Sequence, residues 1–444
     1  MPPRGFDRRA LVSSPLRVVK FDVGITLRQI VAMGATMGGM QGDVTRRTAT
    51  WMAITFVFIV PWENVIVIPG LGTLARVAGL GLFGLFALSV AAKGTLRRPT
   101  QFHILAAAFA VWGITSVAWS SAFAISTLFS ITLIQLVLIA YLLYNLLDNP
   151  LAHYRARVAS VLGGYIVSAI LIFNGVTGNV TEFERRASIP NSNENDVGIV
   201  LVLLMPIAWH LANDRGVSKL IRSVSVFYIP LAFVGIIFTA SRTSLVVALL
   251  FVVMAMASLM RAGRIQKLLY PLILAATAAF VAVSAPETSF ERLGTIQGSV
   301  EQGDFGSRQF FWAKAWELIS EGAATTLFGF GLGTFDFLVG DSAHQTFLAV
   351  TAELGIVGLG LLLSVLIVVG RHIRTLDSAN RQMWTSAMII WLIAVQTLSW
   401  HFFTFTWVLF ALIMADGSWK APATARTSDS DGPVIDLRTP ARQR

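Results

Sequence analysis

The sequence predicts an all-α integral membrane protein of about 12 transmembrane helices, with one large loop outside the bilayer that carries an amphipathic helix. Three observations predict it. Of 444 residues, 55% are hydrophobic and only 13% are charged, whereas soluble proteins carry about 25% charged residues. The apolar residues come in continuous runs, and a helix of about 20 of them crosses a hydrocarbon core of about 30 Å. Continuous runs rather than alternating ones imply helices and exclude a barrel. Lastly, the basic residues sort to alternate loops, as the positive-inside rule demands.

The spans fall at 50–68, 72–92, 103–120, 124–147, 158–178, 197–212, 223–240, 243–260, 268–284, 345–369, 383–399 and 402–416. The first is interrupted by Pro61, Glu63 and Asn64, and the last two meet in a tight turn near His401. With the N-terminus in the cytoplasm, only seven of the 34 lysines and arginines fall outside: Arg76, Arg185, Arg186, Arg242, Arg292, Arg308 and Lys314. The organisation expected is a basic tail over 1–48, nine helices over 49–284, a periplasmic loop over 285–343, three helices over 344–416 and a polar tail over 417–444. Both tails have the composition of disordered, cytoplasmic segments. No cleavable signal peptide is expected. The formal charge of +10 follows from these short loops, so no nucleic-acid partner is expected. The absence of cysteine excludes disulfides, thiolate metal sites and thiol nucleophiles.

Few arginines lie outside, so each one needs a reason. Arg185 and Arg186 sit in TEFERRASIPNSNEND, Arg242 in FTASRTSLVV and Arg308 in FGSRQFFWAKAW. Such a residue either snorkels to headgroup phosphates or binds an anion such as a diphosphate, onto which guanidinium forks. His344, in DSAHQTFLAV, is either an ordinary interfacial residue or a general base. Glu353 lies nine residues further on, within the tenth span. It is either a functional intramembrane carboxylate or a helix-anchoring hydrogen-bond partner. Of the six histidines, only His344 and His401 fall outside. Over 307–321, Trp312, Trp316 and Ile319 share a helical face suited to the membrane interface, and the same face suits a lipid substrate. Gly329, Gly331 and Gly333 mark a tight turn or a close backbone approach, and no Gly-Lys-Ser/Thr follows to make a P-loop. The outside segments show no Asp-x-Asp pair and no His/Glu metal spacing, so neither a metal nor another cofactor is expected.

In order along the chain, these residues resemble the O-antigen ligases and Wzy-type polysaccharide polymerases. The ordered set is the Arg-rich loop with Pro-Asn-x-Asn ending at Asn193, Ser-Arg-Thr at 241–243, FGSRQFFWAKAW, LFGFGLGTF, and AHQTFLAVTAELGIVGLG. The last is the most specific: His344 and Gln345 are followed at the family's spacing by Gly355 and Gly358. Many members have His-Asn where this chain has His344-Gln345, and the leucine after Arg242 arrives one position early, at Leu245. The resemblance covers about residues 180–370.

It implies a GT-C-like fold in the bacterial inner membrane and a site facing the periplasm. The donor it implies is an undecaprenyl-diphosphate-linked oligosaccharide, and the mechanism is metal-independent glycosyl transfer. Arg186, Arg242 and His344 are the catalytic residues implied. Arg185, Arg308, Asn191, Asn193, Trp312, Gln345 and Glu353 are the substrate-binding set. If the acceptor is another lipid-linked repeat unit, the enzyme is a polymerase of O-antigen or exopolysaccharide, which can work with a chain-length regulator. An acceptor of lipid A core makes it a ligase. The imperfect ligase motifs lean the expectation toward polymerase. A lipid-linked oligosaccharide transporter or flippase is the competing class, and a structural scaffold a third.

Overall fold

A computed structural model describes residues 27–93, 96–180, 186–259 and 308–419, together with Leu272, Ala275, Ala279, Val283 and Gly294. Within them the protein is helical, except for one short antiparallel hairpin, β1 (Val67–Ile68) and β2 (Gly72–Thr73). The long helices are α1 (Leu27–Ile59), α2 (Leu74–Lys93), α3 (Gln101–Ser116), α4 (Phe123–Leu146), α5 (Pro150–Thr177), α6 (Glu194–Asn213), α7 (Lys219–Thr239) and α8 (Arg242–Leu259). Three short ones follow: α9 (Arg308–Ser320), α10 (Ala323–Phe328) and α11 (Phe335–Val339). The chain then returns through α12 (Thr346–Thr375), α13 (Ser378–Ala394) and α14 (Thr404–Ala415).

Among the described residues seven helices, α2 to α7 and α12, are long and apolar enough to cross a membrane, and α8 and α14 are shorter apolar helices. Every expected span except 268–284 coincides with a helix, and most of that one lies outside the described residues. The first departs most from its expected limits. The α1 helix begins at Leu27 and stops at Ile59, because Pro61 removes a backbone donor just beyond it. Pro206 and Pro230 lie inside α6 and α7, which run through both.

The core is a bundle in which α6 and α14 are buried on nearly all sides. Their sequences are correspondingly apolar all round, as befits helices surrounded by others rather than by solvent or lipid. Buried tryptophans are tied by their indole N–H groups, since an unpaired polar group is costly where no water can reach it. Trp384 donates to Asp416 at 2.8 Å, Trp391 to Thr406 at 3.0 Å and Trp407 to the His401 carbonyl at 2.9 Å. One end of the bundle is closed by polar ties such as Arg46 to Asp148 at 2.6 Å and Arg157 to Asn380 at 3.0 Å. At the other end the connections 60–73, 186–193, 308–345 and 395–403 gather around cavities.

The α12 helix is broken at Gly355, whose φ of 68° is left-handed. The break frees carbonyls that a continuous helix would satisfy internally. Each finds a donor from elsewhere. Phe330 N–H donates to Ala352 O at 3.0 Å, Gly331 N–H to Glu353 O at 2.9 Å, and Trp112 Nε1–H to Leu354 O at 2.9 Å. The glycines that read as a close backbone approach make that approach to this kink: a Cβ on Gly329 would lie 2.3 Å from the Glu353 carbonyl carbon.

The α9 helix matches the expected helix, with a shifted inner face. Ala315 and Ile319 are buried against Phe335, Ala343 and Ala349, while Trp316 is 61% exposed. Trp316 sits at the margin of the stripe, and a small residue at 315 lets the helix approach its neighbours more closely than an indole would.

Candidate active site

His344 lies between α11 and α12, with φ at 49°. Its Nδ1 is 3.3 Å from Ser342 Oγ and its Nε2 is 3.7 Å from Asp341 Oδ2. The imidazole lines a cavity of about 330 Å³ together with Asp196, Asp336, Asp341, Glu353 and His401. Burial pushes the His344 imidazolium below its ordinary pKa; Asp341 opposes the shift and Arg308 adds to it. Neutral imidazole is the form that accepts a proton. Burial likewise pushes Asp336 up to about 6, with the Glu353 carboxylate raising it and His401 lowering it.

Glu353 is 3% exposed, and its Oε2 is held from two directions. Gly333 N–H donates to it at 2.8 Å, and His401 Nε2 lies 3.2 Å away. Both readings of this residue therefore have support: it anchors two neighbouring segments and also lines the cavity. His401, Asp196, Asp336 and Asp341 are cavity residues that the motifs did not single out. Position outside the bilayer was the one signal available for His401. Its partner Glu353 is 48 residues away in the chain, a pairing no local pattern encodes.

Three of the four expected arginines come together. Arg242 opens α8 after a one-residue reversal at Ala240, which holds a left-handed φ of 48°. Arg308 opens α9, half-buried, and its pKa is lowered by burial and then by the neighbouring charges of Arg242 and Arg186. Like charges converging at one place make a site for an anion. Arg186 itself is 5% exposed and strongly engaged. It donates from Nε to Thr239 O at 2.8 Å and from Nη2 to Asn195 Oδ1 at 2.9 Å, with Nη1 3.3 Å from Glu194. It thus ties the loop before α6 to the end of α7 and the start of α6. Arg185 lies outside the described residues.

The remaining candidates divide. Asn193 caps α6 through its side chain and lines the His344 cavity. Asn191, at a left-handed φ of 55°, donates to the Asn64 carbonyl at 3.1 Å and lines a smaller cavity of about 90 Å³. Gln345 caps α12 by accepting from Leu348 N–H, and its amide donates to Gln396 at 3.1 Å. The structure gives Gln345 a capping role rather than a place in the cavity lining, and an asparagine would serve the same purpose. Trp312 sits half-buried on α9, one turn from Arg308.

Residues 227–363 match the family model described as O-antigen ligase. That stretch of the chain is similar to the O-antigen ligases. The matched stretch runs from within α7 past the kink of α12 and includes Arg242, Arg308, His344 and Glu353. The match agrees with a glycan-transferring membrane enzyme, and it favours the ligase reading over the polymerase toward which the motifs leaned. No curated protein matches the chain.

Proposed function

We propose that this protein is an inner-membrane O-antigen ligase that moves a glycan from undecaprenyl diphosphate to lipid A core on the periplasmic face. The observation that carries the reading is a cavity imidazole whose pKa burial lowers, near converging arginines of which Arg242 and Arg308 fall within the stretch similar to the O-antigen ligases. The cavity end faces the periplasm and both termini the cytoplasm, as the basic loops require. His344 takes the proton from the acceptor hydroxyl as that oxygen attacks the anomeric carbon. The bond to the lipid diphosphate breaks, and its electron pair leaves with the diphosphate. Arg242 and Arg308 bind those phosphates and meet the charge that develops. Arg186 holds the loop beside them and adds its field. Diphosphate is already a good leaving group, so positioning and cationic charge suffice without a metal ion. The bundle is of the GT-C type with 12 spans in this reading.

The test is glycan transfer by the reconstituted full-length protein from a lipid-diphosphate oligosaccharide, with EDTA present. Wild type is expected to form a new glycosidic bond on lipid A core, and His344→Ala is expected to form none. Ladders of lengthening lipid-linked glycan would instead identify a polymerase. Movement of the lipid across the bilayer with no new bond would replace the enzyme reading with transport.

The rate should also depend on pH in a defined direction. His344 must be unprotonated, so kcat/KM rises with pH through an apparent pKa below about 6.5. Asp341→Asn removes the charge that favours the imidazolium, so the acid limb should move to lower pH. Asp196, Asp336, Glu353, His401 and Arg308 also face this region, and all are retained in that variant. A limb that stays in place or moves upward would remove His344 from the role of base.

A further inference from the structure

A second cavity of about 370 Å³ lies beside the first, beneath the β1–β2 hairpin and between α1, α2 and α4. Its mouth is polar, with Glu63 at the end of the turn 60–62 ahead of the hairpin and Arg76 in the first turn of α2. Its depth is different. Phe56, Leu136 and Ile139 line it, together with Gln135. Gln135 lies midway along α4, half-buried, and faces the cavity beside Thr132. A polar side chain turned into a cavity from the middle of a membrane-spanning helix is a functional candidate in its own right.

The mouth is built for the arginine. A Cβ on Gly72, at a φ of 91°, would lie 3.1 Å from Arg76 Cδ and 3.2 Å from its Nη1. Glycine there leaves the guanidinium room to lie under the turn. The same segment is tied to the loop that carries Arg186: Asn64 donates to Ser192 Oγ at 3.0 Å, and Asn191 donates back to the Asn64 carbonyl. The two cavities share one wall, Phe402, whose ring is 4.7 Å from that of Phe129 and which follows His401 in the chain. The arginine cluster is on the α6, α8 and α9 side of the His344 cavity, and the second cavity is on the α4 side.

We propose that this second cavity seats the acceptor, a phosphorylated glycolipid, separately from the donor. Arg76 takes a headgroup phosphate, Glu63 and Gln135 take hydroxyls or amides, and an acyl chain lies along Leu136 and Ile139. The acceptor's sugar then reaches the His344 cavity past Phe402. The assignment rests on the glycosyl-transfer reading above and adds where the acceptor sits.

The experiment uses the full-length protein in nanodiscs with a lipid A core glycolipid that carries a photoactivatable acyl chain. After irradiation and proteolysis, label is expected on the α4 segment 132–139, and excess unlabelled glycolipid should compete it away. Label spread over lipid-facing positions outside that segment, such as Leu128 and Ile131, as a plain phospholipid probe would give, overturns the proposal. So does label at 132–139 from a lipid-diphosphate probe that the glycolipid fails to displace, because the cavity would then belong to the donor. In the transfer assay, Arg76→Gln and Gln135→Leu should each raise the acceptor KM about tenfold while leaving the donor KM and saturated kcat near wild type. A change in donor KM alone overturns it as well. Absence of transfer by wild type to any acceptor would count against the glycosyl-transfer reading, whereas the labelling pattern decides the cavity's occupant independently.

Discussion

Gly355→Ala is expected to leave little assembled protein in the membrane. Alanine at a left-handed φ costs about 1–3 kcal/mol by backbone strain alone. Here the added carbon would also lie 2.1 Å from Leu327 O and 2.4 Å from Phe328 N, both main-chain atoms that cannot turn aside. The backbone of α12 or the glycine-rich turn must therefore shift. Any shift threatens the hydrogen bonds to Ala352 O, Glu353 O and Leu354 O together. Each one lost leaves a buried carbonyl unsatisfied, at about 1–3 kcal/mol. A destabilisation of about 4 kcal/mol or more is the expected sum, large for a single substitution. Gly360→Ala is the matched control, since it lies in the same helix with nothing within 4 Å of an added Cβ. It should be neutral or stabilising by about 0.5–1 kcal/mol. Thermal unfolding followed by tryptophan fluorescence measures both. Equal midpoints for the two variants would show that the kink is incidental to stability.

Arg242→Ala is expected to fold and to lose about a hundred- to a thousand-fold in turnover, the effect of removing one donor from an oxyanion-type site, about 2.7–4 kcal/mol. The residue is half-buried at the first position of α8, where truncation leaves the helix contacts of Ser244 and Val247 in place. Lysine should recover part of the rate by restoring the charge without the fork. The measurement is kcat in the reconstituted assay alongside the unfolding midpoint. A variant with normal turnover would move the phosphate-binding role away from α8, and one that fails to assemble would make Arg242 a structural residue. Comparison with Arg186→Ala is informative because Arg186 ties Thr239, Asn195 and Glu194 together. Its loss should lower the midpoint as well as the rate.

Much of this architecture was legible because membrane helices announce themselves by length and continuity of apolar residues, and the intervening loops by charge. The limits of α1 were not. Residues 27–49 include Arg28, Asp43, Arg46 and Arg47, so hydropathy stops near residue 50 although the helix continues back to Leu27. Hydropathy reports what can sit in hydrocarbon, and helix propagation has no such requirement. At the site, His344, Arg242 and Arg308 were visible because charge and imidazole are rare at that end of the chain's spans. The partners that set their chemistry were not. Glu353 with His401, and Trp400 with Asp196 at 2.7 Å, are pairings across 48 and 204 residues. Gln345 shows the converse: a motif position read as substrate-binding has its side chain committed to a helix cap and a neighbouring amide.

The lock between the glycine-rich turn and the break in α12 bears on how such enzymes can be recombined. Donor N–H groups at 330 and 331 and acceptor carbonyls at 352 and 353 form a single matched set drawn from two stretches of chain. A chimera that imports residues 308–345 from a relative while keeping its own α12 would inherit only half of that set. The same holds for an imported helix start without its turn. Segments exchanged to alter specificity should therefore be cut after the second glycine of the helix, near residue 360, so that both halves travel as one cassette.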